Sequence, residues 1–119
     1  MKCLDTYALI EIAKRNPRFA YLMEEDFVIP DVTLAEFYAV LLRDFGDGVA
    51  EEWLEKLLPY SKDAAIEILI AAMDYRAEHR KQNLSFFDCA GYAYAITHRI
   101  PFVTGDKEFE KKYGVEFVK

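Results

Sequence analysis

Apolar residues along the chain follow two alternating patterns, namely short continuous runs and longer stretches with helical spacing. From Leu34 to Phe45 they recur three and four residues apart, which predicts an amphipathic helix. The short runs lack polar alternation, which is typical of strands buried on both faces.

The predicted elements are a strand over Met1–Leu4, helices over Thr6–Arg15 and Arg18–Glu25, a strand over Phe27–Ile29, helices over Thr33–Phe45 and Val49–Leu58, a vestigial strand near Leu57–Ser61, a long helix capped by Ser61 and running to about Lys81, a helix over Ser85–Arg99, a strand over Ile100–Thr104, a short helix ending near Tyr113, and a strand over Val115–Val118.

The alternation of buried-type strands with helices predicts an α/β fold. We expect a three-layer α/β/α sandwich with a short central parallel sheet. A length of 119 residues fits a single domain spanning residues 1–119. Because ligands of parallel sheets bind at the carboxyl ends of the strands, polar residues that follow the strands are the first candidates for a functional site.

The composition predicts a compact globule, since 53% of the residues are hydrophobic and 15% are aromatic. No apolar run approaches the roughly 20 residues that a membrane span needs. Asp5 and Glu11 stand where a signal peptide would have its apolar segment. We therefore expect a cytoplasmic protein without a membrane partner. Cys3 and Cys89 have no neighbour at metal-ligand spacing and are interpreted as core residues.

The net charge of -6, from 15 basic and 21 acidic residues, argues against a broad phosphate-binding surface. One basic cluster is present, formed by Arg76, His79, Arg80 and Lys81. The simplest interpretation of this cluster is a solvated helix end that the helix macrodipole favours.

Four acidic residues occupy similar places in the predicted elements. Asp5 and Asp106 follow predicted strands, whereas Glu36 and Asp88 are each the one acid in the apolar first turns of a helix. Isolated buried carboxylates are costly unless they are paired or bind a metal. Four of them at one sheet edge would repel one another unless a divalent cation lies among them. Ligand sets of oxygen alone suit Mg²⁺ or Mn²⁺ rather than zinc.

Each of these acids also has a structural interpretation. The segments Thr33-Leu-Ala-Glu36 and Ser85-Phe-Phe-Asp88 match the spacing of a capping box, in which the fourth residue accepts from the backbone N–H of the first. Asp5 and Asp106 could likewise be simple helix N-caps. The joint pattern of four acids at matching ends of elements is what favours a site.

Two adjacent segments carry a family resemblance. LSFFDCAGYAYA, residues 84–95, matches the pattern L-S-x-x-D-x-x-x-x-A-x-A, and residues 101–109 match P-x-V-T-x-D-x-x-F. Together with the early strand before Asp5-Thr6 and with Glu36 inside an apolar helix, they make the chain similar to the PIN-domain family. Within that family it most resembles the VapC-type toxins.

The resemblance implies a metal-dependent ribonuclease that is the toxin of a toxin–antitoxin pair. By position, Asp5, Glu36, Asp88 and Asp106 would form the catalytic metal site for Mg²⁺ or Mn²⁺. Thr104 and Thr6 would be supporting hydroxyls. The resemblance further implies an RNA substrate, a homodimer and a cognate antitoxin protein that blocks the acidic cleft.

Other functions remain open at this point. The chain could be a catalytically inactive PIN-fold binding protein that acts through protein or RNA partners, with its acids serving only as helix caps. A phosphotransferase with Asp5 as nucleophile is less favoured, because Tyr7 stands where such enzymes have a second Asp. A dinucleotide site is disfavoured, since no Gly-x-Gly-x-x-Gly follows the first strand.

Overall fold

The computed structural model describes residues 1–119 and contains five strands and five α-helices. Three short 3-10 helices complete the regular structure. In chain order the elements are β1 (Lys2–Leu4), α1 (Thr6–Ala13), a 3-10 helix (Pro17–Glu24), β2 (Phe27–Pro30), α2 (Asp31–Phe45), α3 (Asp47–Leu57), a 3-10 helix (Leu58–Tyr60), β3 (Ser61–Lys62), α4 (Ile66–Glu78), α5 (Phe86–His98), β4 (Phe102–Thr104), a 3-10 helix (Lys107–Phe109) and β5 (Val115–Phe117).

The five strands form one parallel sheet in the order β3-β2-β1-β4-β5. The first strand of the chain therefore lies at the centre of the sheet. Its Cys3 is opposite Val28 of β2 on one side and Phe102 of β4 on the other. Because all strands run in the same direction, their carboxyl ends meet at a single edge.

Alternating side chains of the strands supply two apolar cores, one on each face of the sheet. Leu4, Ile29 and Val103 join a core with α1, α2 and α3. Cys3 and Phe102 point to the opposite face and pack against α4 and α5. The predicted three-layer α/β/α sandwich with a short central parallel sheet is thereby confirmed.

The predicted long helix after Ser61 differs from the structure at its start. Ser61 belongs to the two-residue strand β3, which pairs with β2, and it does not cap a helix. The helix begins at Ile66 with Ala65 as N-cap, and it ends at Glu78. Pairing with the sheet edge takes up the backbone around Ser61 and delays the helix by about one turn.

One side of α4 carries an apolar stripe that faces solvent. Ile66, Ile70 and Met73 are 63%, 55% and 47% exposed, whereas Ile68 and Ala72 of the same helix are buried. Apolar residues at this spacing normally face the core. An exposed stripe of this kind marks a surface available for association. None of the helices has both the length and the apolar character required to cross a membrane.

Candidate carboxylate site at the sheet edge

Asp5 lies at the carboxyl end of the central strand and is almost completely buried, with 3% of its surface exposed. It occupies the N-cap position of α1, but its side chain makes no capping hydrogen bond. The carboxylate instead accepts a hydrogen bond from the hydroxyl of Thr104, with 2.7 Å between Oγ1 and Oδ2. Asp5 is therefore not the simple helix cap that its position allowed.

Thr104 connects two of the acids. While its hydroxyl donates to Asp5, the same oxygen accepts from the backbone N–H of Asp106 at 3.1 Å. The Asp106 carboxylate accepts from the backbone N–H of Glu108 and so caps the short 3-10 helix that follows. The N-cap interpretation of Asp106 is correct. Its carboxylate and that of Asp5 come from neighbouring strands at the same edge.

Glu36 is not a capping residue, because α2 begins two residues earlier than predicted. The helix starts at Asp31 with Pro30 as N-cap, so Thr33 is already inside it. The capping box predicted for Thr33 and Glu36 is wrong, and the buried hydroxyl of Thr33 has no hydrogen-bond partner. The carboxylate of Glu36 points back to α1, where it accepts from the Thr6 hydroxyl at 2.5 Å.

Asp88 lies where the capping box of α5 requires it. The Ser85 hydroxyl accepts from the backbone N–H of Asp88 at 3.1 Å, and the Asp88 carboxylate accepts from the backbone N–H of Ser85 at 2.8 Å. This part of the structural interpretation is correct. The cap does not use up the carboxylate, because each of its two oxygens can accept further interactions.

The charges of the four acids act on one another. Burial raises the pKa of Asp5 to about 7, the hydrogen bond from Thr104 opposes the rise, and the charges of Asp88 and Glu36 add to it. The pKa of Glu36 is raised by burial and by the charge of Asp88, against the hydrogen bond from Thr6. Burial also raises the pKa of Asp88, to which the charge of Asp106 contributes. The structure thus brings all four predicted acids to one edge of the sheet.

No basic side chain neutralises this group. The ion pairs of the chain involve Lys2, Lys14 and Arg43, and none includes any of the four acids. As the side chains stand, no three His, Cys, Asp or Glu residues are arranged so that they could hold a metal ion. Each acid is turned to a hydrogen-bond donor of its own. The four acids nevertheless fit a hard divalent cation, since their ligand atoms would all be carboxylate oxygens and their negative charge is unbalanced.

Gly105 is the residue of this edge that the sequence patterns did not single out. A side chain at this position would collide with the Tyr7 ring and with the backbone carbonyl of Val118. The only sequence signal was a glycine between Thr104 and Asp106. The absence of a side chain at Gly105 lets the chain after β4 pass close to Tyr7 of α1 and to Val118.

The raised pKa of Asp5 predicts a pH-dependent stability. In the absence of divalent ions the folded chain holds a proton on Asp5 up to about pH 7, whereas the unfolded chain releases it near pH 3.8. The free energy of unfolding should therefore fall as pH rises between these values. Asp5→Asn has no titratable group at this position and so lacks this pH dependence, but its side-chain oxygen can still accept the hydrogen bond from Thr104. Its stability relative to the unmodified chain should rise by about 3 kcal/mol between pH 5 and pH 8.

Urea denaturation in EDTA at several pH values measures this difference. Asp44→Asn is the matched control, since Asp44 is solvent-exposed and the neighbouring Arg43 lowers its pKa. That control should show no change in relative stability between pH 5 and pH 8. Parallel pH profiles for Asp5→Asn and the unmodified chain would contradict the assignment of a buried, proton-holding Asp5.

Comparison with known proteins gives a family match. A family model for the PIN domain matches residues 2–115. None of the curated proteins compared matches the chain.

Several solved structures share the fold. VapC20 from Mycobacterium tuberculosis, described as a toxin that cleaves the sarcin-ricin loop, is 17% identical, with complete coverage of both chains and a TM-score of 0.85. A toxin–antitoxin complex from Klebsiella pneumoniae is 19% identical over 98% of this chain and 96% of that chain, with a TM-score of 0.76. VapBC2 from Rickettsia felis, bound to a DNA fragment from its promoter, is 15% identical over 99% and 98% of the chains, with a TM-score of 0.78. At these identities the likeness concerns the fold.

Proposed function

The chain belongs to the PIN domain family, and from that premise we propose that it is a metal-dependent ribonuclease that hydrolyses RNA phosphodiester bonds. One observation carries the proposal. Asp5 is buried at the end of the central strand, where burial and then the charges of Asp88 and Glu36 raise its pKa, and no basic side chain balances these acids. Without a function, this concentration of negative charge would only cost stability.

We assign the binding of one or more Mg²⁺ or Mn²⁺ ions to Asp5, Glu36, Asp88 and Asp106. When bound, a divalent cation supplies a polarised water at neutral pH and positive charge for the phosphate. Thr104 orients the Asp5 carboxylate, and Thr6 does the same for Glu36. Both hydroxyls therefore have supporting roles.

Glu36 and Asp88 are the groups best placed to accept a proton from the attacking water. Both are partly open to solvent, and burial raises the pKa of both carboxyl groups. A carboxylate with a raised pKa is a stronger base than an ordinary one. The rigid ends of β1 and β4 hold Asp5 and Asp106 in place beside them.

Metal binding tests this proposal directly. Calorimetric titration of the chain with Mn²⁺ should give a saturable site, and EDTA should abolish RNA cleavage. A metal concentration a hundredfold above the dissociation constant should raise the free energy of unfolding by about 2.7 kcal/mol. Glu36→Gln should weaken the site, whereas Glu67→Gln, at the exposed start of α4, should leave it unchanged. Absence of a specific site would overturn the metal-dependent mechanism.

A catalytically inactive PIN-fold binding protein remains the second candidate. Two observations favour it, because Asp88 and Asp106 both cap helices and no three acids stand in a metal-binding arrangement. Such a protein would act through protein or RNA partners. It would show no specific Mn²⁺ site in the calorimetric titration and no metal-dependent cleavage.

We also propose that the chain is the toxin of a toxin–antitoxin pair and forms a homodimer. Support for an antitoxin partner comes from the solved toxin–antitoxin complexes that share the fold. Support for self-association comes from the exposed apolar stripe of Ile66, Ile70 and Met73 on α4. Sedimentation velocity of the purified chain tests the dimer, which a clean monomer would contradict.

A further inference from the structure

A basic hollow lies between the C-terminal part of α4 and the loop that leads into α5. It has a volume of about 430 Å³ and is lined by Arg76 and Arg80 together with the loop residues Gln82, Asn83 and Leu84. Both arginines are exposed, and neither forms an ion pair. In a chain with a net charge of -6, this is a local concentration of unpaired positive charge.

The macrodipole of α4 accounts for only part of this cluster. The helix ends at Glu78, so Arg80 lies beyond its last turn. Arg76 is within the last turn, but its Nε donates to the carbonyl of Leu84 at 3.0 Å rather than to the end of its own helix. This bond orients the guanidinium, whose remaining N–H groups make no hydrogen bond within the chain. The interpretation as a mere solvated helix end is therefore incomplete.

The loop that lines the hollow also leads into the carboxylate site. Leu84 directly precedes Ser85, whose N–H binds the Asp88 carboxylate. On the other side, the N–H of Asn83 donates to Glu108, two residues beyond Asp106. The loop that lines the hollow is thus bonded to the segments that carry Asp88 and Asp106.

We propose that the basic hollow binds phosphate groups of RNA next to the phosphate that is cleaved, with Arg76 and Arg80 as positioning residues. The inference rests on the proposed ribonuclease function and extends it to the path of the substrate. A bound cation would compensate charge only at the phosphate that is cleaved, so the phosphates beside it need positive charge from the protein. Guanidinium groups bind phosphate through paired N–H donors, which suits the two arginines to this role.

Arg80→Gln is the informative variant, because Arg80 makes no hydrogen bond or ion pair whose loss would disturb the fold. Arg43→Gln is the matched control, since it removes the same charge from an exposed arginine of α2. The double variant Arg76→Gln/Arg80→Gln extends the series. Fluorescence anisotropy with a labelled single-stranded RNA of twelve nucleotides in EDTA measures binding without cleavage.

We expect Arg80→Gln to weaken RNA binding about fivefold and to lower the slope of log affinity against log salt by about 0.7. In Mn²⁺ the loss should appear mainly in KM rather than in kcat. Arg43→Gln should leave the dissociation constant and the salt slope unchanged.

The outcomes separate this inference from the proposed function. If the unmodified chain cleaves RNA while both arginine variants bind RNA as tightly as Arg43→Gln, the hollow is not a phosphate site and the ribonuclease function stands. If RNA binding depends on Arg80 but no cleavage occurs with any divalent metal, the hollow is a phosphate site and the proposed ribonuclease function is wrong. If the unmodified chain neither binds nor cleaves RNA, both are overturned.

Discussion

Replacement of Asp88 by asparagine is expected to abolish metal-dependent RNA cleavage, with a loss of about a thousandfold, while the fold is retained. A loss of this size corresponds to about 4 kcal/mol of transition-state stabilisation, which is in the range that a metal ion contributes. The asparagine side chain oxygen can still accept from the Ser85 N–H, and the N–H of residue 88 still reaches the Ser85 hydroxyl. The stability of the variant should therefore change by less than about 1 kcal/mol.

Two further variants separate the cap from the chemistry. Ser85→Ala removes the hydroxyl half of the capping box but keeps the carboxylate of Asp88. It should lose about 1 kcal/mol of stability and keep most of its activity. Asp74→Asn, on the exposed surface of α4, should change neither quantity. Full RNA cleavage by Asp88→Asn would refute the assignment of Asp88 to the site.

Replacement of Gly105 by alanine should have the largest effect on stability. An added Cβ would lie inside the van der Waals envelope of the Tyr7 ring and of the Val118 carbonyl. The Tyr7 ring could rotate away. The C-terminal tail after β5 is held in place, however, because the N–H of Val118 donates to the carbonyl of Thr104 at 3.0 Å. We expect a loss of about 3 kcal/mol, because a tight contact with backbone cannot relax without moving the strand.

Gly48→Ala is the matched glycine control. Gly48 lies in the first turn of α3, and no atom lies within 4 Å of an added Cβ there. Alanine should stabilise this position by about 0.5–1 kcal/mol, because it reduces the freedom of the unfolded chain. Chemical denaturation measures both variants. Equal stability of Gly105→Ala and the unmodified chain would show that the contact of the tail with α1 is looser than the structure describes.

The apolar stripe of α4 illustrates the limit of pattern analysis. Ile66, Ile70 and Met73 have the spacing of a core-facing helix, yet it is Ile68 and Ala72 that are buried. The sequence shows how apolar residues are spaced along a helix. Which side of the helix faces the core depends on the elements that pack against it. Here the short strand β3 and the packing of α5 decide it.

The capping boxes show a similar contrast. Two segments had the same spacing, and only Ser85 and Asp88 form the box. For Thr33 and Glu36 the strand β2 runs directly into α2, so that Pro30 becomes the N-cap and Thr33 falls inside the helix. A local motif is realised only where the preceding chain leaves the first residue in an extended conformation.

The amino-acid sequence by itself determined the α/β class, the order of strands and helices and the positions of Asp5, Asp88 and Asp106 at the ends of these elements, because these depend on apolar runs and hydrogen bonds between residues a few positions apart. Only the tertiary structure decided which groups meet. The Thr104 hydroxyl reaches Asp5 across 99 positions and the Thr6 hydroxyl reaches Glu36 across 30. Packing also decided that no cation of the chain neutralises the acids, since burial and charge interactions act through space and not along the backbone.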